Sequence, residues 1–119
     1  VLNPMLVEGQ QHGGALQGIS QALWEEFVYD DEGNPLTGTF ADYTLPTAAD
    51  AISFEVSTTE TPTPLNPLGA KGIGESATIG STPATVNAVL DALAPHGVTH
   101  LDMPLSAPKV WAALQGGGE

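Results

Sequence analysis

The chain has 119 residues and a formal charge of −12, from 14 acidic residues set against two lysines, Lys71 and Lys109. That balance argues against nucleic acid or an anionic membrane surface as a partner. Cysteine is absent, which rules out disulfides and thiolate chemistry within the chain and fits a cytoplasmic protein. No apolar run reaches the roughly 18 residues of a membrane span, and no basic stretch followed by an apolar one opens the chain as a signal peptide would. A hydrophobic share of 41% supports a modest core in one domain, or part of one.

The first predicted element is a helix from about Gln10 to Phe27. Leu16, Ile19, Leu23 and Phe27 fall at i, i+3, i+7 and i+11, one stripe of a helix. Gly13, Gly14 and Gly18 weaken its first half by about 1 kcal/mol each relative to Ala, and also permit close packing. Tyr29-Asp30-Asp31-Glu32-Gly33-Asn34-Pro35-Leu36 is a turn signal, with a return strand expected over 37–45. Ile52, Phe54 and Val56 alternate with Ser53, Glu55 and Ser57, the pattern of a half-buried strand.

Residues 58–81 show no periodicity and carry three prolines and four glycines. A long stretch of that kind in a compact domain points to function. The next helix is expected to start at Thr82 as N-cap, with Pro83 at the first helical position and Val86, Val89, Leu90 and Leu93 on one face. Pro95 and Gly97 end it. A short strand follows over 98–103, then a helix capped by Ser106 with Val110, Trp111 and Leu114 on one face. Residues 115–119 read as a disordered tail. The fold expected from this order is α+β: two to three amphipathic helices on a small mixed sheet, with a long Gly/Pro-rich loop at one edge.

That loop holds the densest chemical signal, Gly69-Ala70-Lys71-Gly72-Ile73-Gly74-Glu75-Ser76. It places one carboxylate among glycines, beside one of the two basic residues. Glycines let backbone approach a ligand, and a Glu on such a backbone can be aimed at a reacting atom. A flexible surface loop with an exposed Glu explains the same spacing. Gly72 to Ala77 satisfies G-x-G-x-x-A, with Asp91 downstream. The dinucleotide reading fails because a Pro-rich segment stands where an apolar strand is needed. A Walker loop needs Lys directly after Gly and before Ser or Thr, and no such string occurs. Gln10-Gln11-His12-Gly13-Gly14 is a second polar, glycine-rich cluster, able to donate and accept along a pterin-like edge or simply to open a solvated helix. His12, His96 and His100 have no ligand spacing and are read as structural or surface residues. Asp30-Asp31-Glu32 lacks the order of a calcium loop.

Together these strings resemble the C-terminal part of the molybdopterin-binding large subunit of the molybdenum hydroxylases. This is the xanthine dehydrogenase and aldehyde oxidase superfamily, and the likeness is to its aerobic carbon-monoxide dehydrogenase branch. The likeness rests on Leu2-Asn3-Pro4-Met5-Leu6-Val7-Glu8-Gly9-Gln10, His12-Gly13-Gly14, Gln17-Gly18-Ile19 and Ala41-Asp42-Tyr43-Thr44-Leu45-Pro46. It continues with Thr63-Pro64-Leu65-Asn66-Pro67-Leu68-Gly69-Ala70-Lys71-Gly72-Ile73-Gly74-Glu75 and Pro83-Ala84-Thr85-Val86-Asn87-Ala88. The resemblance implies that residues 1–119 are a C-terminal fragment of the cofactor-binding domain. It implies a molybdopterin cofactor, in bacterial members often the cytosine dinucleotide form. It implies partner subunits carrying [2Fe-2S] clusters and FAD, and the rest of the large subunit.

By the same resemblance Glu75 is the general base and stands beside the molybdenum without ligating it. Gln10 contacts the cofactor, and Asn3, Lys71, Gly72 and Gly74 line it. The family's substrate-discriminating residues lie outside this chain. The substrate class is therefore open among aldehydes, N-heterocycles and CO, and the isolated chain is expected to be inactive. A non-catalytic assembly or interface module, or a split subunit, is the alternative.

Overall fold

Asn3 and Pro4 start the first helix. In the computed structural model, which describes residues 1–116, α1 spans Pro4–Leu23. Asn3 is its N-cap, with Oδ1 accepting from the Leu6 N–H at 3.1 Å, and Pro4 stands at N1, where no N–H is needed. The helix thus begins six residues before the expected Gln10, because the apolar stripe does not reach the first turn while the cap does. It ends at Leu23, with Trp24 as C-cap, so Phe27 lies beyond it.

α2 spans Ser76–Leu93 and runs into a 3-10 turn, Ala94–His96, that Gly97 closes in the left-handed region at φ +82. Its start corrects a second expectation. Thr82 caps nothing; its hydroxyl lies 3.3 Å from the Thr78 carbonyl and 3.1 Å from Gln21 Oε1. Pro83 sits inside the helix. A proline there removes one backbone bond. Pro83 and Ile79 both lie on the exposed side, where water can serve the carbonyl left over. α3 spans Ala107–Leu114 behind Ser106, as expected, but its buried residue is Ala113, while Trp111 is exposed.

The expected mixed sheet does not form. The described residues contain three α-helices and no strand. The one remnant is an isolated antiparallel bridge between Tyr29 and Pro35, closed by the Leu36 N–H to Val28 carbonyl bond at 2.8 Å. Residues 37–45, 52–57 and 98–103 stay unpaired. Of the alternating apolar residues only Phe54 is sheltered: it packs against the His12 ring of α1, with centroids 5.6 Å apart, while Ile52 and Val56 stand exposed like the polar residues between them. Period-2 patterning alone does not make a strand, which also needs a partner for its backbone. Of the tail expected to be disordered, 117–119 lie outside the described residues.

α1 and α2 cross in tight contact at Gly14 and Gly18, both buried. A Cβ at Gly14 would come within 2.9 Å of the Ala77 Cβ. One at Gly18 would overlap Ser81 Oγ and lie 2.8 Å from the Thr82 nitrogen. Beyond this seam the core is small: Ala22, Leu93, Leu105 and Ala113, with the Leu105 N–H donating to the Ala22 carbonyl at 2.7 Å. The radius of gyration is 18.1 Å, against about 13–14 Å for a compact domain of this length. The accessible surface is 8602 Å², where size scaling gives roughly 6,100 Å². Large apolar side chains, among them Met5, Phe40, Leu65, Leu68 and Ile79, stand exposed. No described helix is long and apolar enough to cross a membrane.

Candidate functional site

Capping at Asn3 sets the phase of α1, so Asn3, Leu6, Val7 and Gln10 follow one another at i, i+3, i+4 and i+7 on one face. They form one wall of a groove of about 580 Å³. The other wall is loop: Thr58 to Pro62, and Leu68 to Ile73.

The second loop wall is locked by its own polar groups. Asn66 clasps Ala70 from both sides, its Nδ2 donating to the Ala70 carbonyl at 2.9 Å and its Oδ1 accepting the Ala70 N–H at 3.1 Å. Gly69 takes φ +64, and a Cβ there would sit 2.7 Å from the Pro62 Cβ. Only glycine meets both demands. Its carbonyl accepts the Thr63 N–H at 3.1 Å, which ties the loop to itself. Lys71 emerges one residue beyond this clasp and donates from Nζ to Thr61 Oγ1 at 2.5 Å. Among the described residues it has no carboxylate partner, whereas Lys109 sits 3.2 Å from Glu26. The Gln10 carboxamide has no protein hydrogen bond among those residues. The groove therefore offers the Lys71 ammonium, the Gln10 amide that donates and accepts, apolar flanks from Leu2, Leu6 and Ile73, and the Glu60 carboxylate, which accepts from the Val1 amino group at 2.7 Å. That set suits a flat heteroaromatic group carrying an anion.

Glu75 lies next door. The loop passes between two clefts: Lys71, Gly72, Ile73 and Ser76 face the groove, while Gly74 and Glu75 line a second cleft of about 340 Å³ with Gln17, Gln21, Thr78, Ile79 and Thr82. Glu75 is the backbone N-cap of α2, with its carbonyl accepting the Ile79 N–H at 3.1 Å. Its carboxylate is exposed and makes no hydrogen bond among the described residues. Hydroxyls and amides line the same cleft: Thr82 Oγ1 lies 3.1 Å from Gln21 Oε1, and Thr78 Oγ1 3.5 Å from Gln17 Oε1. The fold thus gathers Asn3, Gln10, Lys71 and Gly72 in one groove, and puts Gly74 and Glu75 in its neighbour. Asn3 has its Oδ1 engaged in capping, which leaves its Nδ2 for any ligand.

Sequence reasoning passed over Asn66 and Thr61, the residues that fix Lys71. The string Asn66-Pro67-Leu68-Gly69 carried the signal, an Asn opening a Pro/Gly turn whose side chain can bond its own backbone. His12, 3.8 Å from Glu8, and His100, 2.9 Å from Asp102, are remote from one another. No group of three or more potential ligands is placed to hold a metal among the described residues.

Residues 1–52 match the molybdopterin cofactor-binding domain family. The chain is 46% identical over 114 residues to the carbon monoxide dehydrogenase large chain of Hydrogenophaga pseudoflava, covering 96% of this chain and 14% of that one. It superposes on the reconstituted CO dehydrogenase from Oligotropha carboxidovorans with a TM-score of 0.91 and 42% identity, covering 98% of this chain and 14% of the other. Quinoline 2-oxidoreductase from Pseudomonas putida 86 gives 0.90 and 45%, covering 95% and 14%. The chain spans a small fraction of the length of the relatives it matches.

Proposed function

The chain belongs to the molybdopterin-binding large-subunit family of the molybdenum hydroxylases, and from that premise we propose that its two clefts supply part of the cofactor wall and the catalytic base. One observation carries the reading. A single loop, Gly69–Ser76, presents Lys71 and Gly72 to the groove that holds Gln10, and presents Glu75 to the cleft beside it. On this reading residues 1–119 are part of the cofactor-binding domain.

The groove fits the implied group by its donor set. Gln10 would bond a pterin edge, Asn3 Nδ2 and the Gly72 backbone would line it, and Lys71 would meet a phosphate, while Gly74 would face the same group from the neighbouring cleft. A pyrophosphate-bearing form, the cytosine dinucleotide, suits the Lys71 ammonium, which has no carboxylate partner among the described residues. When bound, the molybdenum cofactor supplies the two-electron acceptor. Glu75, standing beside the metal without ligating it, would act there as the general base that takes a proton from the attacking oxygen. Positioned acid–base groups of this kind contribute about 10²- to 10⁴-fold. The substrate is a small molecule among aldehydes, N-heterocycles and CO. Partner subunits carrying [2Fe-2S] clusters and FAD would take the electrons onward. The isolated chain binds no cofactor and turns nothing over, because most of the pocket lies on other residues.

The exposed apolar side chains favour a second reading, a non-catalytic assembly module. One experiment separates the two: the full-length large subunit with its partners, wild type beside Glu75→Gln, measured for molybdenum and pterin and for turnover on CO, aldehydes and N-heterocycles. The proposal expects equal molybdenum in both, and a turnover in Glu75→Gln lower by about 10²- to 10⁴-fold. Undiminished turnover in Glu75→Gln removes the base. Absence of molybdenum from both favours the assembly module.

A further inference from the structure

We propose that Gly14 and Thr78 are positioning residues: their contact across the α1–α2 seam holds Glu75 in place relative to Gln10. The proposal rests on Glu75 being the base.

Gln10 and Glu75 sit on different helices. Gln10 is in α1, and Glu75 is the first residue before α2. The Glu75 side chain has no hydrogen bond among the described residues to hold it, so its place follows from that of α2. What fixes the first turn of α2 is the seam. Gly14 lies one helical turn from Gln10, about 6 Å along the axis at 1.5 Å per residue. With no side chain it lets Ala77 and Thr78 come in, two and three residues after Glu75. A Cβ at Gly14 would meet the Ala77 Cβ at 2.9 Å, and the Thr78 nitrogen and Oγ1 both at 3.2 Å.

Closeness alone leaves the helices able to slide. The Gly14 carbonyl prevents that by accepting the Thr78 hydroxyl at 3.0 Å and the Ser81 hydroxyl at 3.3 Å. Both bonds are partly buried, where water competes less for the same groups. Gly18 repeats the close approach one turn on, against Ser81 and Thr82, and so fixes the crossing. Gly13 and Gly9, on the same helix, have nothing within 4 Å of an added Cβ, so the tight fit is confined to the α2-facing side.

The consequence is geometric. A base must reach within hydrogen-bond distance of the proton it takes, and a 1 Å misplacement can cost 10²-fold. Adding one carbon at Gly14 would leave it 2.9 Å from the Ala77 Cβ, so the start of α2, two residues from Glu75, would have to move by several tenths of an ångström.

The test uses the full-length large subunit assembled with its partners. Gly14→Ala, Thr78→Val, Thr78→Ser, Gly13→Ala and Glu75→Gln are compared for molybdenum content, kcat and KM. Thr78→Val keeps the shape and removes the hydroxyl; Thr78→Ser keeps the hydroxyl. The expected result is wild-type molybdenum in all five, with kcat lowered roughly 10- to 100-fold in Gly14→Ala and Thr78→Val, KM little changed, Thr78→Ser recovering most of what Thr78→Val loses, and Gly13→Ala close to wild type. Full turnover in Gly14→Ala and Thr78→Val, with Glu75→Gln inactive, overturns the positioning role and leaves the base intact. Molybdenum loss in Thr78→Val overturns it too, since the hydroxyl would then serve assembly. Full turnover in Glu75→Gln removes the base itself and the positioning role with it.

Discussion

The α1–α2 pair and the stretch from Trp24 to Glu75 reach their shapes by different means. In the pair, backbone meets backbone: Gly14 and Gly18 admit Ala77, Thr78, Ser81 and Thr82 with no room for a methyl group. In the stretch, no helix or strand forms, and short side chains bond their own neighbours instead. Asp30 gathers the Glu32 and Asn34 amides, Asp50 takes the Thr47 amide and hydroxyl, and Asn66 clasps Ala70. The first kind of order holds two distant parts of the chain together. The second fixes turns a few residues long and says nothing about where they sit. Glu75 stands at the junction, so the seam governs it more than the loop does.

The largest effect on stability is expected where the seam is tightest. Gly18→Ala would drive a methyl group into Ser81 and Thr82 and destabilise the full-length protein by about 1–3 kcal/mol, read as a lower Tm. Gly38→Ala is the control from the other region. An added Cβ there meets nothing within 4 Å, so its effect should stay within about 0.5 kcal/mol. Equal effects from the two would mean that the seam is loose and the contrast false.

A smaller effect is expected at Asn66. Asn66→Ala removes two hydrogen bonds to Ala70, each contributing about 1 kcal/mol net, with solvent able to replace part of that at an exposed site. The segment 63–72 should then be cut faster by protease, and cofactor retention should weaken because Lys71 loses its fixed origin. Asn66→Asp keeps the acceptor for the Ala70 N–H and loses the donor, so it should fall between the two. Protease resistance equal to wild type in Asn66→Ala would show that something other than the clasp orders the loop.

How much of this was legible in the sequence follows the same division. The Gly-rich loop and its Glu were plain, since they needed only residue types at fixed spacing. Asn3-Pro4 spelled a cap and a first helical residue, yet apolar periodicity, which starts later, drew the boundary to Gln10. Pro83 read as a helix start because proline favours that position, and its tolerance inside α2 depends on lying on the exposed side, a tertiary fact. The alternation at Ile52–Val56 suggested a strand, but pairing needs a partner, and none lies beside it among the described residues. The nearness of Gln10 to Lys71, and the separation of Glu75 from both, could not be read from spacing, because the α1–α2 crossing decides them.

The smallest effect tests the locality of the second region directly. Hydrogen bonds from the Asn34 side chain first, and then from the Asn34 backbone and the amides around it, hold the Asp30 carboxyl below the usual carboxylate range. A group whose folded value is depressed contributes stability above its unfolded value and loses it as pH falls through the folded one. The turn over 28–36 should therefore loosen only below the ordinary carboxylate range, followed by carboxyl-carbon NMR of Asp30 across an acid titration. Asn34→Ala should return Asp30 toward the ordinary range while leaving Asp50, held by Thr47, where it was. The cause lies within five residues, so the result should be the same in the 119-residue chain and in the full-length subunit. A shift of Asp50 along with Asp30 would mean that the two turns are coupled, and that the stretch between the helices has an order of its own.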